Sequence, residues 1–358
     1  MRYCNKINLL KALAILIVVS GHLEFSLIPM FPPYSFQVAL FFFISGMLFN
    51  EKYTLAEFIK RRFKTLLIPY ILYSAAYLGI TFLAAPVVGK FWAMPVTLKN
   101  EFLMPFLTGH QVDLISPLWF VPQLFVSLVI YKIFDFIKCR TLFKTVFFVL
   151  LALVAIQIAR FSDNLYVLLL LRTMFSLFFI HTGHIYKTKI EGKYNIFTPE
   201  IFCGVVILQS LLWLTNKDFT ASDGIGLSYI FVWGEFDNWL VPILTSLTGF
   251  WMSLFIIDIL YDKIKNWSFL HKIGQNTYHI MANHLLVFNV ITYSLLALNG
   301  ISFDVKNNAD IYWFYFPLKT TYLYFIAGIV ITTYFGEFLK FLHGKIEKFC
   351  GRKVKFLN

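Results

Sequence analysis

The sequence predicts an all-α protein, a polytopic bundle of about ten transmembrane helices with both termini in the cytoplasm. Three observations carry the prediction. Of 358 residues, 59% are hydrophobic and 14% charged, with a mean hydropathy of +0.71, whereas a soluble domain carries about 25% charge and 45–50% apolar residues. Apolar runs approaching the ~20 residues that cross a bilayer as a helix recur along the whole chain. The basic residues gather in alternate connections between those runs, the pattern expected of cytoplasmic loops.

The runs lie at 9–28, 35–49, 66–88, 117–137, 145–160, 164–186, 195–214, 238–261, 275–298 and 317–341. The first ends on Gly21 and His22 with no small-residue cleavage site and further apolar runs follow it, so it reads as a retained helix rather than a removed signal peptide. With the N-terminus inside, the inner segments hold Lys6 and Lys11, the cluster Lys60 to Lys64, Lys138 to Lys144, Lys187 to Lys193, Lys263 to Lys272, and the segment from Lys340 to Lys355. The outer loops hold acids instead, among them Glu101, Asp113, Asp163, Asp218, Asp223, Glu235, Asp237, Asp304 and Asp310.

The net charge of +12 therefore reports topology and a lipid bilayer as partner, with no nucleic acid implied. Cys4, Cys139 and Cys350 fall inside and Cys203 within a run, so no outer disulfide is expected. No linker or internal repeat divides the chain. One integral-membrane domain over 1–345 with a basic cytoplasmic tail over 346–358 is the simplest organisation.

The candidate chemistry starts in the first run. Eleven residues separate Lys11 from His22, which on a helix places them about 16 Å apart at nearly the same azimuth. Lys11 would sit at the cytoplasmic edge and His22 past the bilayer centre. An ionisable ring there either serves a function or hydrogen-bonds a neighbouring helix, and helix geometry alone leaves both readings open. "KRRFK" at 60–64 falls in the inner loop before Ile68-Pro69-Tyr70, where a positive-inside anchor touching anionic lipid accounts for it.

His284 lies near the middle of the ninth run, preceded by Asn276, His279 and Asn283. Arg172 lies inside the sixth and needs an anion or a carbonyl, while His181 and His184 lie off its face and read as interfacial. Glu24 either polarises a substrate or reaches outer water. Trp119 and Trp313 suit an outer aromatic belt, and Ser45-Gly46 suits a close helix contact. No HExxH, paired CxxC or glycine-rich phosphate loop is present, so no metal or nucleotide hydrolysis is expected.

Five blocks in order, "LLKALAILIVVSGH" at 9–22, "FFFISGMLF" at 41–49, "FIKRRFKTLLIPYI" at 58–71, "SPLWFVPQLF" at 116–125 and "IGQNTYHIMANH" at 273–284, resemble the membrane acyltransferase 3 family. That family includes bacterial carbohydrate O-acetyltransferases. The resemblance implies a multi-pass protein of the bacterial inner membrane that takes acetyl from cytosolic acetyl-CoA to a sugar hydroxyl on a polysaccharide, glycolipid or lipid-linked precursor. It implies His22 as general base, with Lys11 in the position of the family's more usual arginine; His284, near mid-membrane by its place in the ninth run, is either a further catalytic candidate or a core hydrogen-bonding residue. It also implies Arg61, Arg62 and Lys64 at the donor, Arg62 and Lys64 matching the family pattern best; Glu24, Trp119, Arg172 and Asn283 are weaker substrate-binding candidates. An envelope carbohydrate transporter or flippase is the alternative that composition alone would also fit. A membrane sensor would need a soluble signalling segment, and none is visible.

Overall fold

A computed structural model describes residues 2–88, 93–216, 227–229, 231–236, 238–300 and 320–350. Asp218, Asp223, Asp237, Asp304, Asp310, Trp313 and the tail residues Arg352, Lys353 and Lys355 lie outside the described residues. The elements they form are helices, with no strand among the described residues. The helices are α1 (Arg2–Gly21), α2 (Gln37–Met47), α3 (Leu55–Arg62), α4 (Ile68–Val88), α5 (Met104–Leu107), α6 (Phe120–Asp135), α7 (Thr141–Ala159), α8 (Leu165–Ile185), α9 (Pro199–Thr215), α10 (Val241–Ile264), α11 (Ser268–Gln275), α12 (Thr277–Leu298) and α13 (Thr321–Cys350).

Among the described residues, seven helical segments are long and apolar enough to cross a membrane, which makes the chain a multi-pass membrane protein. They are Leu55–Pro86, Asp113–Asp135, Thr141–Ala159, Leu165–Ile190, Val241–Ile264, Thr277–Leu298 and Thr321–Ile346. Each of the ten apolar runs contains a helix, and the remaining three correspond to α1, α2 and α9. Helix α2 has 11 residues and α9 has 17. At 1.5 Å per residue these reach about 16 and 26 Å, short of a hydrocarbon core about 30 Å thick. Outward-facing Leu83, Leu142, Phe143 and Phe82 are strongly exposed; in water they would be a liability, whereas in lipid they meet their own kind of solvent.

Helix ends follow local chemistry. The Asn164 side chain caps α8 by accepting from the amides of Tyr166 and Val167 at 2.9 and 3.3 Å. Thr198 caps α9 by accepting from Ile201 N–H, and Pro199 opens that helix where its missing N–H is harmless. The first run departs from expectation, since α1 stops at Gly21 and the His22 amide makes one further helical bond to Val18 at 3.2 Å. "KRRFK" also departs. It is helical rather than a loop, because α3 runs into α4 through a π-helical turn at Phe63–Leu67. Pro69 gives the physical reason: it cannot donate to the carbonyl four residues back and its ring crowds that carbonyl, which a wider turn relieves.

The chain divides into two compact units, the first comprising residues 1–59 and 126–275 and the second 60–125 and 276–358. In the first, α2 packs on α8, α7 also packs on α8, and α1 packs on α10 and α11. Gly46 of α2 and Gly183 of α8 make this possible: a Cβ on Gly46 would lie 2.0 Å from the Ile180 carbonyl oxygen, and one on Gly183 1.9 Å from that of Phe43. This is the close contact expected at Ser45-Gly46, and in a membrane such small-residue contacts carry helix association.

Aromatic side chains fill the space around it, with Phe43 stacked on Phe250 at 4.7 Å and Phe175 edge to face with Phe179 at 4.7 Å. The Lys6 ammonium pairs with Asp258, tying α1 to α10. In the second unit α12 packs on α13 and on the 3-10 stretch Asp113–Trp119, which α4 also meets. Helix α13 runs past residue 345 to Cys350.

Candidate functional site

In the first unit, His22 sits just beyond the last turn of α1 and is half-buried. Its Nδ1 lies 3.4 Å from the Tyr34 hydroxyl, and the two rings meet edge to face at 6.0 Å and 84°. Lys11 lies eleven residues earlier, inside α1, and is also half-buried. Both therefore keep the shared azimuth read from the spacing.

The loop from His22 to Phe36 is irregular but firmly tied. Gln209 of α9 donates to the Met30 carbonyl at 2.7 Å, the Ser228 hydroxyl donates to the Pro33 carbonyl, and Tyr229 N–H donates to the Tyr34 carbonyl at 3.0 Å. Glu24, Met30 and Tyr34 have φ of 58°, 66° and 61°, and they are the non-glycine residues in the left-handed region among those described. Such conformations cost about 1–3 kcal/mol each and persist where the surroundings over-determine them. Burial, reinforced by the nearby Glu24 carboxylate, pushes the Tyr34 phenol well above its usual range, so it stays protonated. Glu24 itself is exposed.

Arg172 is 4% exposed and donates from Nε to the Leu168 carbonyl at 3.3 Å. It lines a space of about 10 Å³ together with Phe175, Phe231 and Phe236, far smaller than a sugar ring. His181 and His184 are not simply interfacial. His181 is buried between the Tyr131 hydroxyl, 3.1 Å from Nδ1, and Thr145 Oγ1, 3.0 Å from Nε2. His184 Nε2 meets the Glu51 carboxylate at 2.9 Å, while the Glu51 carbonyl accepts from the buried Lys132 ammonium at 2.8 Å.

A cavity of about 490 Å³ opens in the same unit beside Lys6, Leu10, Tyr186, Glu191, Phe197 and Asp258, and no predicted site residue lines it. The lining cation, Lys6, is already paired with Asp258, and Glu191 adds a second carboxylate. This wall is ill suited to a multiply phosphorylated ligand.

In the second unit, residues 60–64 form one helical surface. Arg61 and Lys64 are exposed at i and i+3, and half-buried Arg62 lies about 100° round the axis from Arg61. The geometry thus pairs Lys64 with Arg61 more closely than with Arg62.

A polar network joins α4 to α12. Asn283, 7% exposed, donates to the Tyr73 hydroxyl at 3.2 Å and to the His279 carbonyl at 2.6 Å, and its oxygen accepts from the Tyr77 hydroxyl at 3.1 Å. The Tyr73 hydroxyl lies 2.7 Å from His279 Nδ1. Asn276 donates to Glu337 of α13 at 2.7 Å. His284 is fully buried, its Nδ1 is 2.9 Å from the Ile280 carbonyl, and its ring meets Phe288 edge to face. Trp119 is half-buried against Gly109, whose φ of 89° admits no ordinary side chain and where a Cβ would strike the tryptophan at 1.8 Å.

The structure therefore places Lys11 within α1 and His22 just past its end, in the first unit. It sets Asn283 and His284 in the α4–α12–α13 core of the second, and leaves Arg61, Arg62 and Lys64 on the helical segment at that unit's start. Sequence reasoning missed Tyr34, Tyr73, Tyr77 and Glu337. A signal for two of them was present, since Tyr70, Tyr73 and Tyr77 repeat at i, i+3 and i+7 as do Asn276, His279 and Asn283, giving two facing polar stripes.

A family model described as an acyltransferase domain matches residues 5–339, nearly the whole chain. No curated protein and no solved structure matches.

Proposed function

Since this chain belongs to the acyltransferase domain family and is a multi-pass membrane protein, we propose that it is an O-acyltransferase moving acetyl from acetyl-CoA to a sugar hydroxyl of an envelope polysaccharide, glycolipid or lipid-linked precursor. The observation that carries the proposal is His22, an imidazole at the end of α1 whose Nδ1 faces a tyrosine hydroxyl, in a chain matched by an acyltransferase model from residue 5 to residue 339. In this reading the apolar runs are set in a bacterial inner membrane, and the basic segments keep both termini in the cytosol.

The imidazole takes the proton of the acceptor hydroxyl as that oxygen attacks the thioester carbonyl. The carbon–sulfur bond breaks, acetyl stays on the sugar oxygen, and the departing CoA thiolate receives the proton back from the imidazolium. Neutral-range acid–base chemistry is what histidine supplies without environmental tuning. Lys11 supplies a cation on the helix that leads to His22, and His284, buried in the polar core of the second unit, is a further catalytic candidate.

Arg61, Arg62 and Lys64 hold the donor phosphates by charge-assisted contacts. Replacing Arg61 and Lys64 together with alanine raises KM for acetyl-CoA by about 10–100-fold at nearly unchanged kcat, as loss of hydrogen bonds to charged groups predicts. An unchanged KM in steady-state assays on membranes would remove these residues from the donor site.

The test of the function itself is consumption of labelled acetyl-CoA by membranes bearing the protein, followed by mass spectrometry of envelope glycans for a shift of one acyl group. Sugar translocation without acetyl-CoA consumption would replace the transferase reading with that of a transporter.

A further inference from the structure

We propose that Tyr34 is the positioning residue for His22, its phenolic oxygen accepting the Nδ1 proton so that Nε2 is the nitrogen presented to the acceptor hydroxyl. The inference rests on the reading of His22 as general base and adds the element that reading lacks. A histidine base needs a third group to fix its tautomer and ring plane.

Three independent features point to the phenol. Its oxygen is within hydrogen-bond reach of Nδ1, at 3.4 Å, and the rings are held edge to face. Tyr34 adopts the left-handed region, φ 61°, which a bulky L-residue enters only under constraint. The constraint is visible: the carbonyls of Met30, Pro33 and Tyr34 are captured by Gln209, Ser228 and Tyr229, and the Tyr229 hydroxyl is itself 2.7 Å from Ser246 of α10. A strained residue fixed by α9, α10 and the segment before α10 places its side chain with little freedom.

The proton balance is simple. In the resting state Nδ1 carries the proton and donates to the Tyr34 oxygen, and Nε2 holds the lone pair. During attack Nε2 gains the acceptor proton, the imidazolium charge is met by the phenol oxygen dipole with the Glu24 carboxylate nearby, and Nε2 then returns that proton to the leaving thiolate. Tyr34 neither gains nor loses a proton overall.

Tyr34→Phe keeps the ring and removes only the oxygen. The expected result, measured on the full-length protein in membranes, is a fall in kcat of about 10–100-fold, the range for outer-shell orienting partners, with KM for acetyl-CoA and for the acceptor unchanged. In a His22→Ala background Y34F lowers the residual rate no further, because the oxygen acts through the imidazole.

Wild-type kcat in Y34F overturns the proposal while leaving His22 untouched, provided H22A is inactive. A fully active H22A overturns the base reading itself, and the Tyr34 role falls with it. An equal loss from Y34F in both backgrounds shows that the phenol acts independently and also overturns it.

Discussion

Replacing His22 with alanine lowers acetyl transfer by about 10²–10⁴-fold, the usual contribution of a positioned general base, while the protein still inserts and accumulates in the membrane. The loss falls on kcat, because in the proposed role the side chain acts on the proton of the reacting hydroxyl and not on the bulk of either substrate. Structure makes the substitution mild in every other respect. His22 is half-buried and lies outside the last turn of α1, where the helical bond from its own amide to Val18 survives any side-chain change.

Alanine therefore opens no large core cavity and leaves the helix end as it was. Rates measured on membranes matched for protein content, beside a thermal melt of the detergent-purified variant, separate chemistry from folding. An H22A protein with wild-type turnover would end the proposal that this histidine is the base.

The second large effect concerns assembly. Gly46→Leu or Gly183→Leu abolishes recovery of folded protein, and Gly46→Ala destabilises it by about 1–3 kcal/mol, the range for overpacking a tight contact. The two glycines face each other's helices at backbone distance, each with a main-chain carbonyl oxygen about 2 Å from where a Cβ would stand. A backbone atom cannot swing aside as a flexible side chain does, so α2 and α8 must separate. In a membrane their attraction depends on that proximity.

Gly79 of α4 is the control, because nothing lies within 4 Å of its Cβ position. Gly79→Ala should leave the melt unchanged or slightly raised, since alanine favours the helix. Size-exclusion profiles and melting temperatures of the purified variants test both statements, and a monodisperse, thermally normal G183L would show that the helices do not need this contact.

Much of this architecture is legible in the sequence because its causes are local. A run of apolar residues forms a helix in lipid whatever surrounds it, as the backbone has no other way to satisfy its polar groups. Positions 141–159, 165–185, 241–264 and 277–298 follow directly. The small residue at Gly46 announces its contact, and the eleven-residue spacing of Lys11 and His22 needs only helix geometry.

What escapes is non-local or depends on exact ends. The helical state of 60–64 escapes because the charges mimic a loop while a π-helical turn carries the helix up to Pro69. The end of α1 at Gly21 escapes because hydrophobicity continues through Leu23, Phe25 and Leu27 after the helix has stopped. Tyr34 escapes because its meaning comes from Gln209, Ser228 and Tyr229, far along the chain. The partners of His181 escape for the same reason, Tyr131 and Thr145 standing on two other helices.

The paired glycines also order events during synthesis. Helix α2 is too short to span the hydrocarbon by itself, and the helix that receives it is made about 140 residues later, on the order of ten seconds at ordinary translation rates. Until α8 leaves the ribosome, this eleven-residue segment rich in phenylalanine has α1 beside it but lacks the helix its glycine is shaped to meet. The insertion machinery or neighbouring lipid must shelter its open face for that interval, so one of the first helices to be translated is among the last to reach its final place.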